Sequence, residues 1–272
     1  MEGTTDSSTT GGVAIDRDQL RAQLIGSGLG KGMAVLVHCS MREIGRVQGG
    51  ADALRDTLLE VLDEEHGTLV VPAQTRSKSN TSTAFLNAIA DLDDEGRELY
   101  LKVMPGFDPQ TSPSEGMGAL AESVRTHPRA RRSAHPATSF AAVGRHAEEV
   151  CATHPPDCLL GARSPLGALR GLDARVLLLG VGFDKCTSFH LGEEAVFRLE
   201  RPYLCKIGDE WQDFTGFPHR DDDFAELGAR FEHAYPGDVR TGKIGAATTR
   251  LFPLAMAADF AAWQLPKLRF AR

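Results

Sequence analysis

Three apolar runs of strand length constrain this chain more than anything else in it. They are MAVLVH from Met33 to His38, GTLVVP at 67–72, and RVLLLGVG from Arg175 to Gly182. Short apolar runs bounded by glycine and polar residues read as buried strands. Between the first two lie the loop SMREIGRVQGG and the stretch ADALRDTLLEVLDEE, whose Leu54, Leu58, Val61 and Leu62 share one helical face. Strand, loop, helix and strand in that order predict a βαβ unit with parallel pairing and a right-handed crossover. The expected class is α/β, with a central mostly parallel or mixed sheet flanked by helices and an inserted lobe.

The rest of the chain is read around that frame. MEGTTDSSTTGG is neither basic nor apolar, so residues 1–13 are expected to be a disordered tail and no signal peptide. A first helix is expected at IDRDQLRAQL, with Asp16 as N-cap and Ile15 and Leu20 as a hydrophobic staple. Residues 76–113 read as an excursion from the sheet, of the kind that walls a site. MGALAESVRTH and RHAEEVCATH are predicted helices, SFAAVG a strand, and YLCKIGDEWQDF a hairpin turning at Gly208 and Asp209. DDDFAELGARFEHA and ATTRLFPLAMAADFAAWQL are expected as two last helices, the second kinked or delayed by Pro253. Residues 14–272 are taken as a single α/β domain.

Composition closes off several functions. A net charge of −7 lacks the basic footprint that nucleic-acid binding needs. No run reaches the length of a membrane span, so no membrane partner is expected. Cys39, Cys151, Cys158, Cys186 and Cys205 are odd in number and contain no C-x-x-C pair. They read as reduced thiols of a cytoplasmic protein, with neither a disulfide framework nor a structural zinc site.

The chemistry concentrates in TSFHLGEE, which follows the third apolar run. The carboxyl edge of a strand in an open α/β sheet is where ligands usually bind. With Thr187 as N-cap, His190 falls in the first helical turn, where Glu193 at i+3 and Glu194 at i+4 can share its face. Asp184, just before the cap, can also reach back to the ring. A carboxylate on one ring nitrogen fixes the tautomer and leaves the other nitrogen to act as a general base. The plainer reading is a partly buried helix histidine with a satisfied hydrogen bond. H-x-x-E offers two metal ligands without a second histidine at helical spacing, so no metal is expected.

Other clusters are weaker. LVHCSMREIGRVQGG enters a helix through Gly49 and Gly50, where backbone amides can hold a phosphate or carbonyl oxygen, but it matches neither Walker A nor G-x-G-x-x-G. Arg129, Arg131 and Arg132 suit the phosphates of a nucleotide-like cofactor or simply a solvated loop. His135, before Pro136, is read as architectural. Cys39 has only the adjacent His38 nearby, and that points elsewhere on a strand. Asp221, Asp222 and Asp223 are explained as carboxylates at a helix start.

Taken together, VHCSMREIGRVQGGADAL, GTLVVPAQT, MPGFDPQTSPSEGMGALAE, RRSAHPATSFAAVG, ARSPLGAL and RVLLLGVGFDKCTSFHLGEE resemble the aminoglycoside 3-N-acetyltransferase family, also called antibiotic N-acetyltransferases. The resemblance implies that family's α/β fold, distinct from the common acetyltransferase superfamily. It also implies acetyl-CoA as cosubstrate, no metal, and direct acetyl transfer to a small cationic amine of an aminoglycoside-type antibiotic. A homodimer is compatible with it. Carried over onto this sequence, the catalytic residues are His190, Glu193 and Asp184. The cofactor contacts are His38, Cys39, Ser40, Met41, Gly49, Gly50, Thr75, Arg132 and Ser133. Gly192 stands where the family has alanine, and the tryptophan-rich stretch of many members is missing after Arg76. An amine intermediate of natural-product biosynthesis is the alternative acceptor, and a non-catalytic CoA-binding protein the second alternative.

Overall fold

A computed structural model describes residues 14–197 and 199–270. The expected tail at 1–13 lies outside them. The strands are β1 (Ala34–Cys39), β2 (Thr68–Pro72), β3 (Arg131–Arg132), β4 (Phe140–Gly144), β5 (Arg175–Leu179), β6 (Arg201–Ile207), β7 (Glu210–Gly216), β8 (Arg240–Ile244) and β9 (Ala247–Pro253). Seven of them form one mixed sheet in the order β3-β4-β2-β1-β5-β9-β8. β1 pairs in parallel with β2 on one side and β5 on the other, while the outer strands pair antiparallel.

The apolar runs are buried on both faces because helices cover both. Leu36, Val70, Phe140, Ala142, Val176 and Leu178 point into one layer, Val35, Val37, Leu69, Val71, Leu177 and Leu179 into the other. The second layer holds the first helix (Arg17–Gly26) and the helix Gly50–Leu62, through Leu20, Leu24, Leu54 and Leu58. The first helix starts where Asp16 and Gln19 cap one another reciprocally, at 2.8 and 3.2 Å. In the first layer, Phe183, Phe189, Phe224, Phe231 and Phe252 stack edge and face around the helices Ser188–Val196, Phe224–Ala234 and Leu254–Phe270. Burying each such ring stabilises by about 1.5–3 kcal/mol.

Two expectations at the C-terminal end need correction. ATTRLFP is not helical: it forms β9, and the last helix begins at Leu254, directly after Pro253. Pro253 therefore closes a strand and delays the helix until Leu254, without kinking it. RTGKI, not foreseen as a strand, is the edge strand β8.

The excursion at 76–113 contains the helices Thr83–Ile89 and Asp94–Val103 and leans on the β6–β7 hairpin. That hairpin turns at Gly208 and Asp209, as the pairing of Ile207 with Glu210 requires. Single bridges join Ser79 to Cys205 and Phe107 to Ile207. The buried Lys206 ammonium donates to the carbonyls of Leu101 (2.7 Å) and Lys102 (3.0 Å), at the end of the helix Asp94–Val103. Excursion and hairpin thus form one lobe over the carboxyl edge of the parallel strands. No described helix is long and apolar enough to cross a membrane.

Candidate active site

β1 and β5 run in register, His38 beside Leu178 and Cys39 beside Leu179, so both strands finish at one edge. β1 continues into Ser40 and a short helix, Met41–Ile44. β5 continues through Gly180 and a turn at Phe183–Lys185 into the helix Ser188–Val196. Between them opens a cleft of about 780 Å³. His38, Cys39, Ser40, Met41, Asp184 and His190 line it, as do Arg76, Ser79, Thr81 and Ser82 of the excursion.

His190 sits in the first turn of its helix, as the spacing predicts, although the Thr187 side chain makes no cap bond. Its Nδ1 lies 2.7 Å from Glu193 Oε2, and Glu193 is fully buried. Burial, then the neighbouring His219, push the imidazole below its ordinary value, and Glu193 pulls it partly back. Burial pushes Glu193 up, but His190, Arg269 and His219 outweigh it and hold the carboxyl below its usual range. Neutral imidazole beside carboxylate is the resulting state at neutral pH. The proton sits on Nδ1, donated to Glu193, and Nε2 keeps its lone pair. Among the described residues, Nε2 has no hydrogen-bond partner.

Asp184 is not the orienting group in this arrangement. It lines the cleft but pairs with Lys185 at 3.0 Å, at a half-exposed position. Glu194, the other candidate on the helical face, accepts from the Leu160 amide at 2.7 Å and lies 2.7 Å from His219 Nε2. His219 packs its ring edge-on against His190, centroids 4.5 Å apart.

His38 is buried, its Nε2 has no partner, and burial followed by the field of His190 lowers its pKa to about 4, so it is uncharged at neutral pH. Cys39 is half-buried, and burial pushes its thiol up to about 12. The other carried-over cofactor residues are not brought to the cleft. Gly49 and Gly50, at φ of 78° and 63°, form the left-handed turn that starts the helix Gly50–Leu62, a conformation glycine adopts without strain. Thr75 is fully buried and donates to the Pro136 carbonyl at 2.6 Å. Ser133 is fully buried between the Phe140 amide and His154. Arg132 donates to Ser139 and to the carbonyls of Ala73 and Ser112, stacked on Phe107. Its guanidinium ties the excursion to the sheet and does not reach the cleft.

Sequence reasoning missed His219, Arg220, Asp223 and Arg269. Arg269 donates to Glu193 Oε1, and the Arg220 amide adds a bond of 3.2 Å to the same oxygen. Asp223 sits at the start of its helix, as the sequence predicts, but its side chain makes no cap bond and binds Arg269 instead. Nothing in GFPHRDDDF or in the last turn of a helix announces these contacts, since they join segments 27 to 76 residues apart. His190, Glu193 and His219 also bring ligand atoms within 4.8 Å of one another. A cation there would have to share the Glu193 carboxylate with the Arg269 guanidinium on its other oxygen, so the donor set suits a proton-transfer site better than a metal.

Such an arrangement can take a proton from a nucleophile in the cleft and stabilise the imidazolium that forms. Comparison with known proteins bears on which nucleophile. Residues 36–265 match the family model described as aminoglycoside 3-N-acetyltransferase. The chain is 36% identical over 240 residues, 86% of each sequence, to the prophage-derived aminoglycoside N(3')-acetyltransferase-like protein YokD of Bacillus subtilis. It superposes on the YokD crystal structure with a TM-score of 0.86 over 94% of each chain, at 33% identity. It is 34% identical to aminoglycoside N(3)-acetyltransferase III of Pseudomonas aeruginosa, covering 83% of this chain and 84% of that one. A structure of AAC-IIIb in binary complex with CoA superposes with a TM-score of 0.81 at 28% identity, over 94% of this chain and 98% of that one.

Proposed function

This chain belongs to the aminoglycoside 3-N-acetyltransferase family of acetyl-CoA-dependent acyltransferases, and we propose that it acetylates an amine directly, with His190 as general base. The observation that carries this reading is the His190–Glu193 contact of 2.7 Å, made by a ring whose other nitrogen is unpartnered beside the cleft. An amine attacks a thioester only through a free lone pair, and most amines are protonated near neutral pH. His190 Nε2 takes the proton as the C–N bond forms, and Glu193 stabilises the imidazolium through Nδ1. Acetyl-CoA supplies the activated acetyl group; as its C–S bond breaks, the His190 imidazolium returns the proton to the departing CoA thiolate, leaving amide, free thiol and neutral imidazole.

His38, Cys39, Ser40 and Met41 would meet the cosubstrate's reactive end, because they border the same cleft as His190. Gly49, Gly50, Thr75, Arg132 and Ser133 act by shaping the strands and loops behind that wall. Residues 76–113 form the acceptor side, within one α/β unit spanning 14–272. Asp184 serves the rim and does not orient the base. No acetyl-enzyme is formed.

For the acceptor, an aminoglycoside amine follows from the relatives. A second reading, an amine of lower positive charge, rests on the cleft lining: Arg42, Arg76 and Lys185 stand against Asp184 and Asp221. That balance suits the phosphates of CoA better than it suits a polycation.

The test is His190→Ala, assayed by release of free CoA thiol with aminoglycosides and simpler amines. Turnover should fall by about 10²–10⁴-fold while acetyl-CoA affinity stays unchanged. Full turnover in that variant removes His190 from the mechanism.

A further inference from the structure

The histidine–glutamate pair is held in place from the far end of the chain. Arg269 lies in the last turn of the helix Leu254–Phe270, with its side chain 9% exposed. Its Nε and Nη2 bind the two oxygens of Asp223 at 2.7 and 3.0 Å, in a forked pairing. Nη2 also donates to the Arg220 carbonyl at 3.0 Å, and Nη1 donates to Glu193 Oε1. The guanidinium lies over the Phe197 ring, 5.2 Å from its centroid. Every nitrogen of the fork is therefore engaged, a geometry lysine cannot reproduce.

We propose that Arg269 is a positioning residue for acetyl transfer: it pins the Glu193 carboxylate, so that Oε2 faces His190 Nδ1, and it sets how strongly that carboxylate attracts a proton to the ring. Glu193 Oε1 is occupied by Arg269 and by the Arg220 amide, so rotation of the carboxylate would break two bonds at once. A buried carboxylate also needs a countercharge to remain ionised. With Arg269 in place, part of the Glu193 charge is neutralised and His190 stays uncharged. Without it, Glu193 and His190 together hold an extra proton more tightly, and a pair already protonated cannot take the proton of the attacking amine.

The other groups facing this pair are His219, which lowers His190, Asp221, which raises it, and His38 on β1, uncharged at neutral pH. None of them touches Glu193 Oε1, so none replaces Arg269. The inference rests on His190 being the base, and the two ideas fail separately.

Arg269→Met should lower kcat by about 10–100-fold, the effect of removing one hydrogen bond to a charged group. The acid limb of kcat/KM should move to higher pH, because activity requires neutral His190 and the substitution raises its proton affinity. KM for acetyl-CoA should not change. Arg269→Lys keeps the charge and loses the fork, so it should lower kcat with a smaller movement of the acid limb. Should Arg269→Met fail to fold, Asp223→Asn, which loosens Arg269 while leaving it in place, should move the limb in the same direction. A purely structural Arg269 would instead lower the melting temperature and leave the pH profile of folded enzyme unchanged, and that result overturns the proposal. If His190→Ala is inactive while Arg269→Met has wild-type kcat and pH profile, only the positioning role falls. If His190→Ala is fully active, the base assignment falls with it.

Discussion

Two buried histidine networks flank the hairpin lobe, and they are finished differently. Around His135 and His154, whose rings are 4.7 Å apart, every ring nitrogen has a partner. His135 Nδ1 accepts from the amides of Ala137 and Thr138, and its Nε2 donates to the Pro156 carbonyl. His154 Nδ1 meets Ser133 Oγ, and its Nε2 donates to the Leu159 carbonyl at 2.8 Å. Around His190 the bonding stops one step short: Nδ1 is tied to Glu193, and Nε2 borders a cleft. A closed network fixes loops, because breaking it leaves buried polar groups unpaired. An open one retains a nitrogen for chemistry, with the same kind of rigid support behind it.

The largest expected effect separates the two. His190→Ala should remove about two to four orders of magnitude of turnover. His154→Ala should leave turnover per folded molecule intact and lower unfolding stability by about 1–3 kcal/mol, the cost of orphaning Ser133 and the Leu159 carbonyl. Urea unfolding and steady-state kinetics on both variants give the comparison. Stability loss without activity loss at His190, or the reverse at His154, would break it.

Acid sensitivity comes next. His38 and His154 are lowered from 6.5 to about 4 by burial first, and His135 and His190 are lowered in the same direction. At His38 and His154 the unfolded chain therefore takes up protons as pH falls through about 6.5, while the folded chain resists until about 4. More protons bound in the unfolded state means that stability rises with pH, so it should decline steadily from about 6.5 down to about 4. His154→Gln should flatten that decline by about one proton's slope. A stability curve that stays level until the carboxylates titrate would contradict this.

Such contrasts explain what could be seen in the sequence. The parallel core was legible because the segments AVLV, LVV and VLLL within MAVLVH, GTLVVP and RVLLLGVG are uninterrupted, buried and apolar. β9 was not, because ATTRLFP runs straight into LAMAADF, and its threonines and arginine masked a strand that alternates buried and half-buried positions. His190 and Glu193 were legible because a helix fixes the i, i+3 relation locally. Arg269, Asp223 and His219 were not, since only tertiary packing brings those segments together. The cofactor residues carried over by resemblance divide along the same line: His38 to Met41 border the cleft, whereas Thr75, Arg132 and Ser133 spend their polar atoms on neighbouring backbone and side chains.

A smaller effect probes how the open network is supported. A Cβ on Gly192 would collide with the Ala258 carbonyl oxygen and lie 2.7 Å from the Ala262 amide. The helix carrying His190 thus rests directly on the backbone of the helix carrying Arg269. Gly192→Ala forces those helices apart and should cost about 1–3 kcal/mol, the usual range for overpacking. Because the separation also stretches the Arg269–Glu193 contact, kcat should fall together with the melting temperature. A variant as stable and active as the parent would show that the helices yield without disturbing the pair.

The smallest effect is expected at Cys39, which shares the cleft with His190 yet lacks what makes a nucleophile. A thiol reacts as thiolate, and burial holds this one near 12. The adjacent His38 is uncharged and cannot lower it. Among the described residues, no hydrogen bond reaches the sulfur. Cys39→Ala should therefore retain turnover, and Cys39 should alkylate slowly at pH 8. Quenching the enzyme during turnover and weighing it intact should show no added acetyl group, the outcome that the proposed direct attack of an amine on the thioester requires. An acetyl group found on Cys39 would mean that the cleft uses its thiol after all, and that the open nitrogen of His190 acts in a two-step exchange.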